Sequence, residues 1–409
     1  MIALVNPVSS GAELARAFHE RGTACVHVYS PGVPVGARPA GVPVISYSDV
    51  AVVERELRAL GVSAVVAASE FGVLPADELA HRLGLPGNAY ALSEARRDKS
   101  LMMEQLRQRG LRATRTAIVR TEQELEQALA GFPFPLVVKP RDSAGSDGCR
   151  VCSGPEQARA AFAQVIHERN LMGRTNDAVL VQEYLDGPQF IVNTVSAGGR
   201  HTLGELYSAR IDRQAGGAPV FRHMTSVRTL DGPDKELVGY VFDCLDALGV
   251  SEGAAHTEVR RTPDGPCLVE VNARVMGPCL APDAYFAAFG YSHQHLVVES
   301  LVDPAVFALR DASGYGPDRH VAKVFLRAHR EGVVRAVPGL DLLRRLPGFH
   351  SVARLAEIGR PVPDRLLTTG ASGIAFFVHE DPATIENALR VLHELEDAGQ
   401  FYELEPVDG

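Results

Sequence analysis

Glu258 and Glu270 stand twelve positions apart, and Asn272 and Arg274 follow the second of them at alternate positions. They lie in His256-Thr257-Glu258-Val259-Arg260-Arg261, Thr262-Pro263-Asp264-Gly265 and Pro266-Cys267-Leu268-Val269-Glu270-Val271-Asn272-Ala273-Arg274. Pro-Asp-Gly between two β-rich runs predicts a three-residue hairpin loop, a type I turn with Pro second, closed by Gly in the left-handed region. Pairing Thr262 with Pro266 then sets Glu258 directly opposite Glu270. Side chains alternate along a strand, so Asn272 and Arg274 share the face of Glu270, and Val259, Val269 and Val271 point into a core. Two carboxylates roughly 5 Å apart at Cβ repel unless something cationic lies between them. Glu, Glu and an Asn amide oxygen are hard ligands, suited to Mg²⁺ rather than Zn²⁺. Arg274, just past the cluster, can reach an oxyanion that the metals also hold. The plainer alternative is a surface hairpin with scattered charges.

The elements that must position this cluster are short. Ile2–Val5, the loop 6–11, a helix to about Arg21, Ala24–Tyr29, Ala64–Ala67 and a helix from about Pro75 to Leu83 give a β-α-β pattern and a parallel sheet. The first loop lacks G-x-G-x-x-G, so a dinucleotide site there has little support. A helix is expected from about Asp98 to Arg109, then a strand Thr116–Val119, a helix opened by the capping box Thr121-x-x-Glu124, and a strand Leu136–Val138. Cys149–Cys152 leads to a helix capped by Ser153 with Pro155 near its start, and Val179–Gln182 is a strand. Further strands, a Gly232–Leu248 helix, the hairpin and a long helix fill 188–300. The tail from about 320 is α/β and ends in the helix Pro382–Leu395. Gln214–Pro219, rich in Gly and Ala, is the segment whose composition most favours disorder.

Three further motifs could meet a nucleotide. Lys139 ends a buried strand, where it either faces an anionic ligand or snorkels to solvent. Three residues on, the loop Asp142-Ser143-Ala144-Gly145-Ser146-Asp147-Gly148 can bring backbone N–H groups to phosphates and close over them. Gln182-Glu183-Tyr184-Leu185 breaks a strand and offers backbone groups to a base edge. Lys99 alone is an ordinary helix-start lysine.

Composition bounds the rest. A chain of 409 residues with 46% hydrophobic and 22% charged residues holds two to three domains with real cores. Net charge is −9 with no basic cluster, which argues against a nucleic-acid partner. Six cysteines are scattered, and the lone C-x-x-C at Cys149 and Cys152 has no second pair, so buried thiols are expected rather than zinc. His293 and His295 read as helix residues. No basic leader and no run of ~20 apolar residues is seen, and the expectation is a cytoplasmic protein with no membrane partner.

In order, Lys99, Val138-Lys139-Pro140, the glycine loop, Gln182-Glu183-Tyr184-Leu185, Glu258 and Glu270-x-Asn272-x-Arg274 form a set that resembles the ATP-grasp superfamily over almost the whole chain. Ser69-Glu70-Phe71-Gly72-Val73, Leu83–Asn88, Arg97-Asp98-Lys99, Asn193–Ser196 and Ala255–Val259 resemble its carboxylate–amine ligases of the L-amino acid ligase type. The resemblance implies an α/β protein with α+β subdomains. It would have an N-terminal Rossmann-like pre-ATP-grasp domain (1–97), a central region with a small mobile ATP lid (98–186), and a large C-terminal catalytic domain with a terminal α/β subdomain (187–409). It implies that Lys99 and Lys139 flank adenine and the α- and β-phosphates, and that Ser143, Gly145 and Ser146 cover the triphosphate. Glu183 and Leu185 would present backbone groups to adenine, with Gln182 near its amino group. Glu258, Glu270 and Asn272 would hold two Mg²⁺ ions, with Mn²⁺ a possible substitute. Lys139 and Arg274 would be catalytic, Arg274 steadying the transferring phosphoryl group.

Two departures stand out. Gln189 occupies the place of a ribose-binding Glu, and Val275-Met276-Gly277-Pro278 replaces a more glycine-rich segment lining the acyl-acceptor pocket. His256, Arg274, Met276 and Gly277 are the expected substrate contacts, with Arg210, Arg213 and Arg228 as further candidates. The implied reaction joins amino acids through an acyl phosphate, releasing ADP and phosphate, in a possible homodimer. The alternatives are a cyclo-ligase, or a ligase for a noncanonical amine in a specialised metabolite pathway. A biotin-dependent carboxylase lacks its carrier motif, and a nucleotide sensor should have lost a metal carboxylate or the arginine. A nicotinamide enzyme lacks the glycine fingerprint.

Overall fold

The computed structural model describes residues 1–406 apart from 37, 215, 278–280, 311–313 and 363–369. Strands β1 (Ile2–Val5), β2 (Cys25–Tyr29), β3 (Val44–Ser46) and β4 (Ala64–Ala67) form a parallel sheet in the order β3-β2-β1-β4. β1 and β2 are buried along their whole length, as strands covered on both faces must be. The carboxyl ends of β1 and β4 carry, respectively, the loop before the helix Ser10–Glu20 and the segment Ser69–Gly72. Open parallel sheets bind ligands at that edge.

A second sheet holds β5 (Thr116–Val119), β6 (Leu136–Pro140), β7 (Arg150–Cys152) and β8 (Val179–Glu183), in the antiparallel order β5-β8-β6-β7. The helices Glu122–Gly131 and Pro155–Val165 pack on it through Leu125, Ala158, Ala161, Phe162 and Val165. The expected Ser153 cap is absent. Gly154 occupies that position, and the Ser153 N–H instead donates to Gln157 at 2.7 Å. Half of the expected capping box forms: Thr121 Oγ1 accepts from Glu124 N–H at 3.2 Å, whereas the Glu124 carboxylate accepts from Arg120 N–H.

From residue 189 come β9 (Gln189–Ala197), β10 (Arg200–Arg213), β11 (Pro219–Ser226), β12 (Gly253–Thr262), β13 (Gly265–Asn272), β14 (His320–Leu326), β15 (Val333–Ala336), β16 (Phe349–Leu355), β17 (Gly373–His379) and β18 (Glu403–Glu405). Eight of them make one sheet, β13-β12-β9-β10-β11-β14-β17-β16, and β15 pairs with β18. One face near β12 and β13 is closed by the helices Lys99–Gln108 and Gly232–Ala247. Met102, Met103, Leu106, Leu237 and Val241 pack there against Phe190, Val192, Val259, Leu268 and Val271. Alternation therefore leaves Gln189, Ile191, His256, Glu258 and Arg260 on the opposite face. No helix among the described residues is long and apolar enough to cross a membrane, and the five described cysteines are free.

The stretch Gln214–Pro219, expected to be disordered, is in its described residues the tip of the β10–β11 hairpin. Gln214 N–H donates to Ala218 at 3.0 Å, and Val151 N–H of β7 donates to the Gly217 carbonyl at 2.8 Å. Gly217 has φ +82°, and a Cβ there would lie 2.1 Å from the Val151 carbonyl oxygen. Gly217 thus serves a close backbone approach.

Candidate active site

The register pairs Glu258 with Glu270 and His256 with Asn272, but it reaches that pairing by another route than the turn predicts. Thr262 pairs with Gly265 across a two-residue turn, not with Pro266 across three residues. Thr262 Oγ1 clamps the tight turn by donating to the Gly265 carbonyl at 2.8 Å, and Arg112 donates to both groups. A bulge restores the offset: Val259 pairs with Leu268, and Val269 is the extra residue. Leu268 thus takes the core position expected for Val269, and Val269 joins Glu270 in facing the cavity.

Around the two carboxylates the charges alternate. Lys99, at the start of a helix whose N-cap is Asp98, places Nζ 2.8 Å from Glu270 Oε2 and donates to the Ser143 carbonyl at 2.9 Å. Asn272 Nδ2 donates to Glu270 Oε1 at 3.3 Å, and Gln189 Nε2 donates to Glu258 Oε2 at 2.7 Å. Burial and the facing charge of Glu270 raise the Glu258 carboxyl well above the usual range. Burial alone would raise Glu270 as well, yet Lys99, Lys139 and the Asn272 amide outweigh it and hold it low. Lys139 is buried, and burial together with the like charge of Lys99 depresses its ammonium. Two cations crowded near paired carboxylates form a site prepared for an anion carrying its own cation.

Arg274 is fixed by a contact that sequence reasoning missed. Its Nε donates to Glu70 Oε2 at 2.6 Å and its Nη1 to the Val275 carbonyl at 3.0 Å. Glu70 also ion-pairs with Arg97, Arg97 with Asp142 at 2.8 Å, and Asp142 with Arg174 at 2.6 Å. This alternating run joins the parallel sheet's loop edge to the glycine loop and to the end of β13. Burial lowers Arg274 to about 10, against the pull of Glu270 and Glu258. His256 is neutral: burial and then Arg274 push it far below its ordinary value, and Nδ1 sits 2.9 Å from Asn193 Oδ1.

The glycine loop is turned by Gly145, Ser146 and Gly148, all at positive φ, and pinned by Ser143 Oγ donating to Asp147 at 2.7 Å. At Gly148 a Cβ would meet Pro140 at 2.9 Å, so the loop returns hard against the end of β6. On the strand break, Gln182 Nε2 donates to Thr116 Oγ1 at 2.7 Å, and Glu183 accepts from Arg115 N–H at 2.8 Å. Arg260 donates to the Leu185 carbonyl at 2.9 Å and stacks over Tyr184, tying this segment to β12.

Lys99, Lys139, Ser143, Gly145, Ser146, Gln182, Glu183, Leu185, Gln189, His256, Glu258, Glu270, Asn272, Arg274, Met276 and Gly277 all line one cavity of about 500 Å³. Glu70, Arg260, Cys149 and the Ser9–Ser10 loop line it too. Glu70 lay in the phrase Ser69–Val73 and could have been found only by asking which carboxylate balances Arg274. Arg210, Arg213 and Arg228 do not line it. Arg210 pairs with Asp212 at 3.1 Å, Arg213 sits 5.1 Å over Tyr184, and Arg228 donates to the Pro317 carbonyl at 2.9 Å. Pro278 and Cys279 lie outside the described residues.

Residues 132–283 match the ATP-grasp domain family. Dapdiamide A synthase of Enterobacter agglomerans is 29% identical, over all of this chain and 98% of that protein. Alanine–anticapsin ligase of Bacillus subtilis strain 168 is 24% identical, over 59% of this chain and 54% of its own length. The crystal structure of an L-amino acid ligase from Bacillus licheniformis superposes with a TM-score of 0.78 at 19% identity, covering 100% of this chain and 98% of that one. Sheet topology and cavity agree with these likenesses: residues 132–283 match an ATP-grasp domain, and the chain shares its fold with the L-amino acid ligase over its whole length.

Proposed function

We propose that this protein is an ATP-dependent carboxylate–amine ligase that joins amino acids through an acyl phosphate, releasing ADP and phosphate. One observation carries the reading: Lys99, Lys139, Glu258, Glu270, Asn272 and Arg274 converge on one cavity beneath a glycine loop. The paired carboxylates and the Asn272 amide are a hard-oxygen donor set, and the mutual repulsion of Glu258 and Glu270 fits a site completed by Mg²⁺. When bound there, Mg²⁺ would neutralise triphosphate charge.

This chain's own residues do the rest. Thr116 takes the amide donor of Gln182, leaving its carbonyl oxygen for the amino group of adenine, and Arg260 takes the Leu185 carbonyl, leaving the Leu185 N–H for the ring. Lys99 and Lys139 meet the phosphates, and the 142–148 loop covers them. A carboxylate oxygen attacks the γ-phosphorus and the bond to the β-phosphate oxygen breaks, giving ADP and an acyl phosphate. Arg274 faces the charge spread over the transferring group. An amine nitrogen, having given up a proton, then bonds to the acyl carbon as the carbon–phosphate oxygen bond breaks. Closure of the loop keeps water from the acyl phosphate.

Full-length similarity to dapdiamide A synthase favours a role in a specialised metabolite pathway. The test supplies ATP, Mg²⁺ and single or paired amino acids with hydroxylamine, reading phosphate, nucleotide and hydroxamate. A hydroxamate from one substrate with ADP release is expected. Release of AMP overturns the reading.

A further inference from the structure

The cavity is not uniform. From β12 and β13 it is lined by His256, Glu258, Arg260, Val269, Glu270 and Asn272, all but one of them polar. From β10, β11 and β14 it is lined by Ile211, Pro219, Phe221, Met224 and Phe325, every one apolar. In the sheet order β12-β9-β10-β11-β14 the change takes four strand steps, roughly 19 Å. Gln189 and Ile191 of β9 mark the transition. Met276, two residues past Arg274, closes the near side and is held by its N–H donating to His293 Nδ1 at 3.3 Å.

This apolar end is a built wall. Phe221, Met224, Phe325, Ile191 and Met276 belong to one packed cluster with Tyr207, Tyr285 and Phe376. The roof above the hairpin tip is tied down where Val151 N–H meets the Gly217 carbonyl. Lys323 shares the row of Met224 but does not line the cavity, and its Nζ lies 3.5 Å from the Gly277 carbonyl and 5.3 Å over the Phe325 ring. No charged side chain among the described lining residues comes from these three strands. A charged or hydroxylated substrate group placed here would lose its hydration against these apolar lining side chains, whereas an apolar group gains about 25 cal/mol for each Å² it buries.

We infer that the Ile211–Phe221–Met224–Phe325 end of the cavity is a side-chain subsite, and that one of the two joined substrates is an amino acid with a bulky apolar side chain. The inference rests on the ligase reading: Arg274 and the phosphates fix the reacting groups, and the side chain extends away from them along β10 and β11.

The experiment measures ADP and amide product with pairs drawn from a panel of amino acids, for the intact chain and for Phe221→Ala, with thermal unfolding to confirm that the variant folds. For one position of the product, kcat/KM with Leu, Met or Phe should exceed that with Asp, Lys or Ser by about 100-fold. Phe221→Ala should lower kcat/KM for the bulky apolar partners by roughly 10-fold while changing that for Ala or Gly less than about 3-fold. ADP-forming ligation that favours charged or hydroxylated partners, or that ignores side-chain class, overturns the subsite and leaves the ligase reading standing. Absence of ADP with every partner, in a protein that still binds ATP, overturns the ligase reading and the subsite with it. If Phe221→Ala does not fold, the substrate panel on the intact chain decides alone.

Discussion

Glu70→Gln keeps the shape of the side chain that orients Arg274 and removes its charge. Arg274 Nε donates to Glu70 at 2.6 Å, and the other Glu70 oxygen meets Arg97. Both arginines are largely buried, so neither finds water as a replacement. A hydrogen bond to a charged group contributes about 1.5–3 kcal/mol net. If Arg274 must face the phosphoryl group as its charge spreads, that loss falls on the transition state. At a factor of ten for each ~1.4 kcal/mol, kcat should drop by about 10- to 150-fold, with KM for ATP moving less than about threefold. Breaking a buried pair should also cost stability, about 3–5 kcal/mol. Steady-state ADP release read beside thermal unfolding separates the two effects when Asp142→Asn is run in parallel. That variant breaks the same run one link further on, at Arg97 and Arg174, and leaves the Glu70–Arg274 contact in place. Glu70→Gln should lose far more kcat than Asp142→Asn for a comparable loss of stability. Equal kcat losses, or a Glu70→Gln kcat within twofold of the parent, would show that Glu70 only holds segments together.

Glu270→Gln removes the carboxylate that Lys99 and Asn272 hold low and should reduce ADP release by at least about 100-fold; undiminished turnover would sink the proposed catalytic centre. Gly217→Ala drives a Cβ to 2.1 Å from the Val151 carbonyl oxygen and should break the hairpin's contact with β7, raising KM for ATP by about 10-fold; an unchanged KM would mean that the contact does not position the roof. His27 and His293 are held down to about 4, and His223 to about 3, chiefly by burial. Their folded values lie below the ordinary 6.5, so the unfolded chain binds more protons between the two. Stability should be complete above about pH 6.5 and fall as pH drops towards 4, by on the order of 3 kcal/mol for the fully enclosed His293. Urea midpoints at pH 7 and pH 5 test this, and a higher midpoint at pH 5 contradicts it.

The layers were legible because their signals are local. Ile2–Val5 and Ala64–Ala67 match β1 and β4 because an apolar run between turn residues leaves little choice of element. Composition misled at Gln214–Pro219, because glycines that permit disorder also permit a backbone carbonyl to meet Val151. The hairpin shows the same limit in register. Pro-Asp-Gly fits a three-residue loop, but the Thr262 hydroxyl and Arg112, distant in sequence, favour the two-residue closure. The displaced residue then emerges as the bulge at Val269. Counting back from the turn gave the right partner for Glu258 only because the bulge cancels the shorter loop.

The same distinction runs through the site. Glu270, Asn272 and Arg274 are spaced by two on one strand, so their shared face follows from the pleat alone. Glu70 meets Arg274 across 204 residues, and no local pattern marks it. Gln189 shows what a position inherits from such a neighbour. The resemblance puts it in the place of a ribose-binding Glu; in the fold its amide donates to Glu258 at 2.7 Å and its oxygen accepts from Arg260 at 3.3 Å. Glu258 is already pushed up by burial and by Glu270, so a carboxylate at 189 would set a third negative charge beside it and remove the donor that Glu258 accepts from. An amide supplies a donor to Glu258 and an acceptor to Arg260 without that charge. Its identity therefore answers to the carboxylate pair on the neighbouring strands before it answers to a ribose.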